Sequence, residues 1–222
     1  MCMNLIVLGI SCLLTAGFSA SSSAPVNVKP AYKIETDTAK LIRFGLTTYA
    51  SPQNRKALKV EIKKTEAGYT FIRNGQPYFV KGAGGTSETE AIKIAGGNSF
   101  RTWGTGGGAA NLEQAEKLGL TVTMGLDVAR ERHGFDYNDA AAVKKQLDHL
   151  REEVQKYKDH PALLAWGNGN ELNLDYKNPN VWKAVNDIAK MIHQEDPNHP
   201  ATTMLAGINQ IEIVHIKAKC PD

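Results

Sequence analysis

Residues 160–173 read HPALLAWGNGNELN, an apolar run that passes through Gly167, Asn168, Gly169 and Asn170 into the carboxylate of Glu171. A short continuous apolar run such as Ala162–Trp166 reads as a strand buried on both faces. Glycines beyond it allow a close, irregular backbone. A carboxyl group held at the mouth of such a strand is suited to proton transfer, because desolvation and a nearby second carboxylate favour its protonated form. The plainer alternatives for Glu171 are a helix N-terminal carboxylate or a surface residue after a strand. Other chemically able residues follow apolar runs in the same way: Arg101 and Trp103, then Asp127 with Arg130, Glu131, Arg132, His133 and Asp136, and later Asn209. Amides and carboxylates hydrogen-bond hydroxyls, and indoles stack on the apolar faces of sugar rings, so this set suits a polyhydroxylated ligand.

Two other chemistries compete. Gly104-Thr105-Gly106-Gly107-Gly108-Ala109 matches G-x-G-x-x-A between a strand and a helix, with Asp127 where a ribose-binding acid belongs. Against a dinucleotide site stand the bulky Arg101-Thr102-Trp103 before the loop and the short helix after it. His133, Asp136, Asn138 and Asp139 could suggest a metal, but Ala141 stands where a calcium loop needs glycine and Leu147 where it needs glutamate. We therefore expect no metal there and no cofactor. His133 is either a substrate contact or a surface histidine; His160 reads as a helix-stop residue, and His193, His199 and His215 as surface positions.

The elements that must position these groups are legible. Lys59–Val80 alternates as strands do, with Asn74-Gly75 a tight-turn signal, and predicts a short β-meander. Beyond it, apolar strands at Tyr78–Lys81, Ser99–Trp103, Leu120–Leu126, Ala162–Trp166 and Thr202–Leu205 alternate with helices. The helices run from Ser87 to Ile94, from Asn111 to Gly119, from an Asp139 cap, from an Asn180 cap, and over Gln210–Lys219. Val143, Leu147, Leu150, Val154 and Tyr157 give the long one a single apolar face. Such alternation predicts an α/β fold with a parallel sheet covered by helices, either doubly wound or a (β/α)8 barrel. In both, chemistry sits at the carboxyl ends of the strands.

The whole chain has 222 residues, 42% of them hydrophobic and 22% charged, with a net charge of +3. This is globular composition, and the scattered basic residues predict neither nucleic-acid binding nor stable membrane association. The apolar run Leu5–Phe18, followed by small residues to Ala24, reads as a signal peptide over 1–24 despite an n-region without Lys or Arg. Residues 25–58 then form a linker and extension, and 59–222 the folded domain. Secretion or a periplasmic location follows. Cleavage would leave Cys220 as the one cysteine, so no internal disulfide is expected.

The sequence resembles the catalytic barrel of the glycoside hydrolases of clan A, especially family 2, the β-galactosidase, β-mannosidase and β-glucuronidase group. The matching pieces, in order, are FIRNGQPYFVKGAGG, GGNSFRTWG, AEKLGLTVTMGLDV, KDHPALLAWGNGNEL and DPNHPATTM. The resemblance implies a (β/α)8 barrel, hydrolysis of O-glycosidic bonds, and an oligo- or polysaccharide substrate. It implies Glu171 as general acid/base, Asn170 as the amide on the sugar 2-hydroxyl and Arg101 as the arginine beside the nucleophile; Trp103 and His133 join them as candidate substrate contacts. A retaining mechanism needs a second carboxyl about 5 Å away, and in this clan it comes from strand seven. Only about five βα units are readable, so the expectation is an incomplete barrel: the N-terminal part of a secreted retaining β-glycosidase, inactive alone. Glu131 is a weak substitute nucleophile. The alternatives are a non-catalytic carbohydrate-binding protein and the dinucleotide-binding βαβ protein.

Overall fold

A computed structural model describes residues 55–66, 68–207 and 209–220, and these belong to one compact unit. The expected signal peptide over 1–24 and nearly all of the linker fall outside the described residues. Among the described residues, no helix is long and apolar enough to cross a membrane.

A three-stranded antiparallel meander comes first, made of β1 (Val60–Thr65), β2 (Gly68–Arg73) and β3 (Gln76–Tyr78). Its second turn is the expected Asn74-Gly75, with φ of 49° and 76°. Both values are positive, as the favoured two-residue hairpin turn requires. Tyr78 pairs with Phe71 in this meander. The run Tyr78–Lys81 is therefore not the first strand of the parallel sheet, and Phe79 is 81% exposed.

The parallel sheet begins at β4 (Gly82–Gly84) and continues through β5 (Ser99–Arg101), β6 (Thr121–Leu126), β7 (Leu163–Asn170) and β8 (Ala201–Met204). The five strands lie side by side in chain order. A doubly wound sheet reverses its order at a switch point where ligands bind. No reversal occurs among these strands, an order consistent with part of an α/β barrel. Helices α1 (Thr89–Ile94), α2 (Gly108–Leu118), α3 (Ala140–Tyr157) and α4 (Asn180–Glu195) connect consecutive strands, and α5 (Gln210–Lys219) follows β8.

Capping explains several boundaries. The Asp139 carboxylate accepts from the N–H groups of Ala141 and Ala142, as its type at an N-cap predicts. Asn209 and Glu212 form a reciprocal capping box on α5. Helix α2, however, starts at Gly108, three residues before the expected Asn111 cap, because Gly107 turns the chain into it at φ 68°. At α4 the cap interaction comes from Asn178, whose Oδ1 accepts from the Asn180 N–H at 3.0 Å, and Asn180 is already helical. The core lies between sheet and helices. It joins Phe100, Val122, Met124, Leu163 and Trp166 from the strands to Leu112, Leu150, Val154, Trp182, Ile188 and Ile192 from the helices, and it includes Cys220.

Candidate functional site

Strand β7 runs four residues past the apolar stretch and carries Gly167–Asn170 into the sheet, all eight of its residues buried. It can do so because its neighbours come unusually close. A side chain on Gly125 of β6 would place Cβ 2.5 Å from the Trp103 carbonyl carbon, and one on Gly167 would meet Met204 and Gly125 at 3.0 and 3.3 Å. Gly169 has φ 85°, and a Cβ there would lie 2.6 Å from Leu172 Cδ1. Glu171 itself has φ 54°, a conformation that costs a residue with a side chain about 1 kcal/mol or more. Its N–H donates to the Met204 carbonyl at 2.8 Å, which ties this bend to β8.

This backbone buries Asn170 and turns Glu171 outward, its side chain 44% exposed. Three arginines converge on the pair. Arg101, at the end of β5, donates through Nη2 to Asn170 Oδ1. Arg130 donates through Nε to the Asn170 carbonyl at 3.1 Å. Arg132 donates to the Glu171 carbonyl, and its Nη2 lies 3.8 Å from Glu171 Oε2. Burial lowers the pKa of Arg101, and the charge of Glu171 opposes that shift. The guanidinium of Arg101 also lies 5.5 Å from the centroid of the Trp103 ring. Trp103 is half exposed and lies over Gly84, where a side chain would stand 3.2 Å from the indole edge. Glu171, Asn170, Arg101 and Trp103 thus share one edge of the sheet at its carboxyl end.

His133 lies apart from this group. It stands on a 3-10 turn (Glu131–His133) after β6 and lines an open cleft of about 340 Å³ together with Asp127, Arg130 and Phe135. Glu131 is directed elsewhere: its Oε2 accepts from the N–H groups of Lys177 and Asn178, at 2.9 and 3.0 Å, and pins the segment before α4. That engagement leaves Glu131 a loop clip. Asp136 bonds the Asn138 N–H and Asp139 caps α3, so both are occupied by turn and helix geometry. Among the described residues no group of three His, Cys, Asp or Glu side chains is placed to hold a metal ion. In the glycine-rich loop, Asp127 Oδ2 accepts from the Thr105 N–H at 3.2 Å, and a side chain on Gly104 would collide with that carboxylate. The acid fills the place where a pyrophosphate would need free amides.

A second polar group braces the opposite part of the sheet. Asp196 Oδ2 accepts from Trp166 Nε1 at 2.8 Å and bonds His199 Nδ1 at 2.8 Å, and its Oδ1 accepts from the Asn198 N–H at 3.0 Å. Burial disfavours the Asp196 anion, yet these bonds outweigh it and hold the carboxyl below the usual range. His199 is fully buried here rather than at the surface, and His215 bonds Tyr176 at 2.7 Å. The sequence reading missed Arg130 and Arg132 as partners of Asn170 and Glu171. Their spacing of two residues, in a loop after a strand end, was the one available signal.

No family model matches the chain. It is 27% identical to a probable mannan endo-1,4-β-mannosidase C of Aspergillus terreus, a similarity covering 60% of this chain and 39% of that protein. Among solved structures, its fold is similar to a β-glucuronidase of an uncultured Clostridium species, with TM-score 0.54 and 18% identity over 70% of this chain and 29% of that one. It is also similar to a family 2 β-galacturonidase of Eisenbergiella tayi, with TM-score 0.53 and 18% identity over 66% and 28%. The chain therefore spans less than half the length of these relatives. In sequence and in fold, it is related to glycoside hydrolases.

Proposed function

We propose that the described residues are the N-terminal part of the catalytic barrel of a retaining β-glycosidase of clan A, with Glu171 as its general acid/base. The observation that supports this most is the end of β7. An Asn-Glu pair leaves the fourth parallel strand, its amide held by an arginine from the second strand whose guanidinium also lies over an indole, and its carboxyl partly exposed. Trp103 offers the stacking surface for a pyranose ring. Asn170 offers its Nδ2 to a sugar hydroxyl, since Arg101 already occupies Oδ1.

In this reading the second carboxylate is supplied by strands outside the described residues. It attacks the anomeric carbon as the glycosidic C–O bond breaks, and the Glu171 proton passes to the departing oxygen. Glu171, now ionised, then takes a proton from water as that water attacks the anomeric carbon and releases the second carboxylate. A carbohydrate substrate, secretion through residues 1–24, and inactivity of this chain without the second carboxylate belong to the same proposal.

The test uses a form of the protein that carries the second carboxylate. Glu171→Gln is expected to lower turnover of alkyl β-glycosides by about 10²–10⁴-fold, the usual worth of a positioned acid. Release of 2,4-dinitrophenolate, which leaves without a proton, is expected to change by less than about tenfold in the glycosylation step. Equal loss for both leaving groups contradicts an acid role.

A further inference from the structure

Glu171 bends at φ 54°, a backbone state that persists only where surrounding groups hold it. It is held from two sides. Its N–H reaches the Met204 carbonyl at the end of β8. Its carbonyl accepts from Arg132 Nη1, and the carbonyl before it, that of Asn170, accepts from Arg130 Nε at 3.1 Å. Two successive carbonyls of the bend are thus gripped by alternate residues of the loop after β6. Glu131, between those arginines, is engaged with the Lys177 and Asn178 N–H groups instead. Arg132 does more than Arg130. While its Nη1 holds the Glu171 carbonyl, Nη2 of the same guanidinium lies 3.8 Å from Glu171 Oε2. A planar fork spans the backbone and the carboxyl of one residue in this way, where an ammonium offers only a single point of charge. The Glu171 side chain is 44% exposed, so the ion pair itself contributes little to stability. At 3.8 Å it is also too long for a hydrogen bond, and the carboxyl keeps its capacity to bond a ligand.

From this arrangement we infer that Arg132 is the positioning residue of Glu171, fixing both the bend of its backbone and the direction of its carboxyl. The inference rests on the acid/base reading of Glu171 and adds to it the group that aims the proton. A general acid works only when its proton lies within hydrogen-bond reach of the departing oxygen, and a displacement of about 1 Å can cost about 100-fold in rate. Without Arg132, the Glu171 carbonyl loses its charged donor and only the N–H bond to Met204 restrains the residue. The peptide then turns toward the ordinary negative φ, and the carboxyl swings with it. Arg132 acts through Glu171 and not on the sugar, since both of its terminal nitrogens face Glu171. Its removal therefore strikes proton delivery more than sugar affinity.

The experiment has two arms. A crystal structure of the 222-residue protein carrying Arg132→Gln reads the geometry. Glu171 is expected to leave φ 54° and its carboxyl to move by about 1 Å or more; an unmoved carboxyl overturns the inference. Kinetics of the form that carries the second carboxylate read the consequence, with an alkyl and a 2,4-dinitrophenyl β-glycoside as substrates. For the alkyl glycoside, Arg132→Gln is expected to lower kcat/KM by about 10–100-fold, chiefly through kcat, with KM within about threefold. For the dinitrophenyl glycoside, whose leaving group needs no proton, kcat/KM is expected to fall by less than about threefold. Arg132→Lys falls between wild type and Arg132→Gln, because an ammonium reaches the carbonyl or the carboxylate but not both. Thermal unfolding checks each variant, and if Arg132→Gln does not fold, Arg132→Lys carries both arms with smaller expected effects. Equal loss for both substrates marks a merely structural role. If Glu171→Gln separates the two substrates and Arg132→Gln does not, the inference is overturned and the acid reading stands. If Glu171→Gln itself does not separate them, the acid reading falls and the inference with it.

Discussion

Substituting Gly169 by alanine tests how the bend before Glu171 is made. Two costs add at this position. Its φ of 85° lies in the region where an L side chain crowds the following carbonyl, worth about 1–2 kcal/mol. A Cβ there would also stand 2.6 Å from Leu172 Cδ1, 3.0 Å from Leu172 Cγ and 3.4 Å from Val128 Cβ. Leu172 and Val128 are each 2% exposed, so neither can swing into solvent to make room. Forcing a methyl group into a packed core costs about 1–3 kcal/mol more. The sum is about 2–5 kcal/mol, which for a domain of this size lowers Tm by roughly 4–20 °C. Gly96→Ala is the matched control, because Gly96 has φ 78° and nothing within 4 Å of the added methyl. It should lose only the conformational part, about 1–2 kcal/mol. Urea unfolding of the two variants, followed by tryptophan fluorescence, reads the difference. Equal losses would refute the claim that close packing under β7, and not merely a left-handed glycine, shapes the site.

Other consequences follow from the same structure. Burial, repulsion from Arg55 and a weaker opposing pull from Glu113 lower His160 from 6.5 to about 4. The unfolded chain therefore binds the extra proton first as pH falls. The stability contributed by neutral His160 is complete above about pH 6.5 and is lost progressively toward pH 4, by roughly 2–3 kcal/mol. Urea midpoints of wild type and His160→Gln from neutral pH down to about pH 4 should converge toward acid, and a constant gap would contradict this. Asp196→Ala removes the acceptor of both Trp166 and His199 in a fully buried setting and should cost about 3–5 kcal/mol by guanidinium unfolding; a loss under about 1 kcal/mol would show that the network does not brace β7. Glu131→Gln should leave any bound-sugar chemistry in place but loosen the segment before α4, raising amide hydrogen exchange at Lys177 and Asn178; unchanged exchange would contradict the clip.

Much of this was legible in residues 160–173 and in the strand-helix alternation around them. Four of the five parallel strands, the long amphipathic α3, the Asp139 cap, the Asn74-Gly75 hairpin and the last helix follow from local pattern, because each is set by residues near one another in the chain. Errors arose where an apolar run had two possible partners. Tyr78–Lys81 reads equally well as a buried strand, but pairing with β2 draws Tyr78 into the meander and leaves Phe79 in solvent. Asn111 and Asn180 are good cap residues in type, yet Gly107 and Pro179 take those places, with Asn178 bonding the Asn180 N–H, as backbone turns upstream decide where each helix begins. The glycine-rich loop matches a dinucleotide pattern, but its glycines serve other ends: Gly104 admits the Asp127 carboxylate, Gly107 turns the chain at φ 68°, and Gly108 lies against the Tyr157 ring. The grip of Arg130 and Arg132 on Asn170 and Glu171 joins residues 40 and 39 apart, and no local pattern carries it.

The proposal that Glu171 hands a proton to a glycosidic oxygen is tested most directly by a crystal structure of the Glu171→Gln protein with a β-linked oligosaccharide bound. The account predicts one sugar ring against Trp103, Asn170 Nδ2 on a ring hydroxyl, and the bridging oxygen within about 3 Å of the side-chain amide that replaces the Glu171 carboxyl. An oligosaccharide bound elsewhere on the protein, or one seated at Trp103 with its bridging oxygen out of reach of that amide, would contradict it.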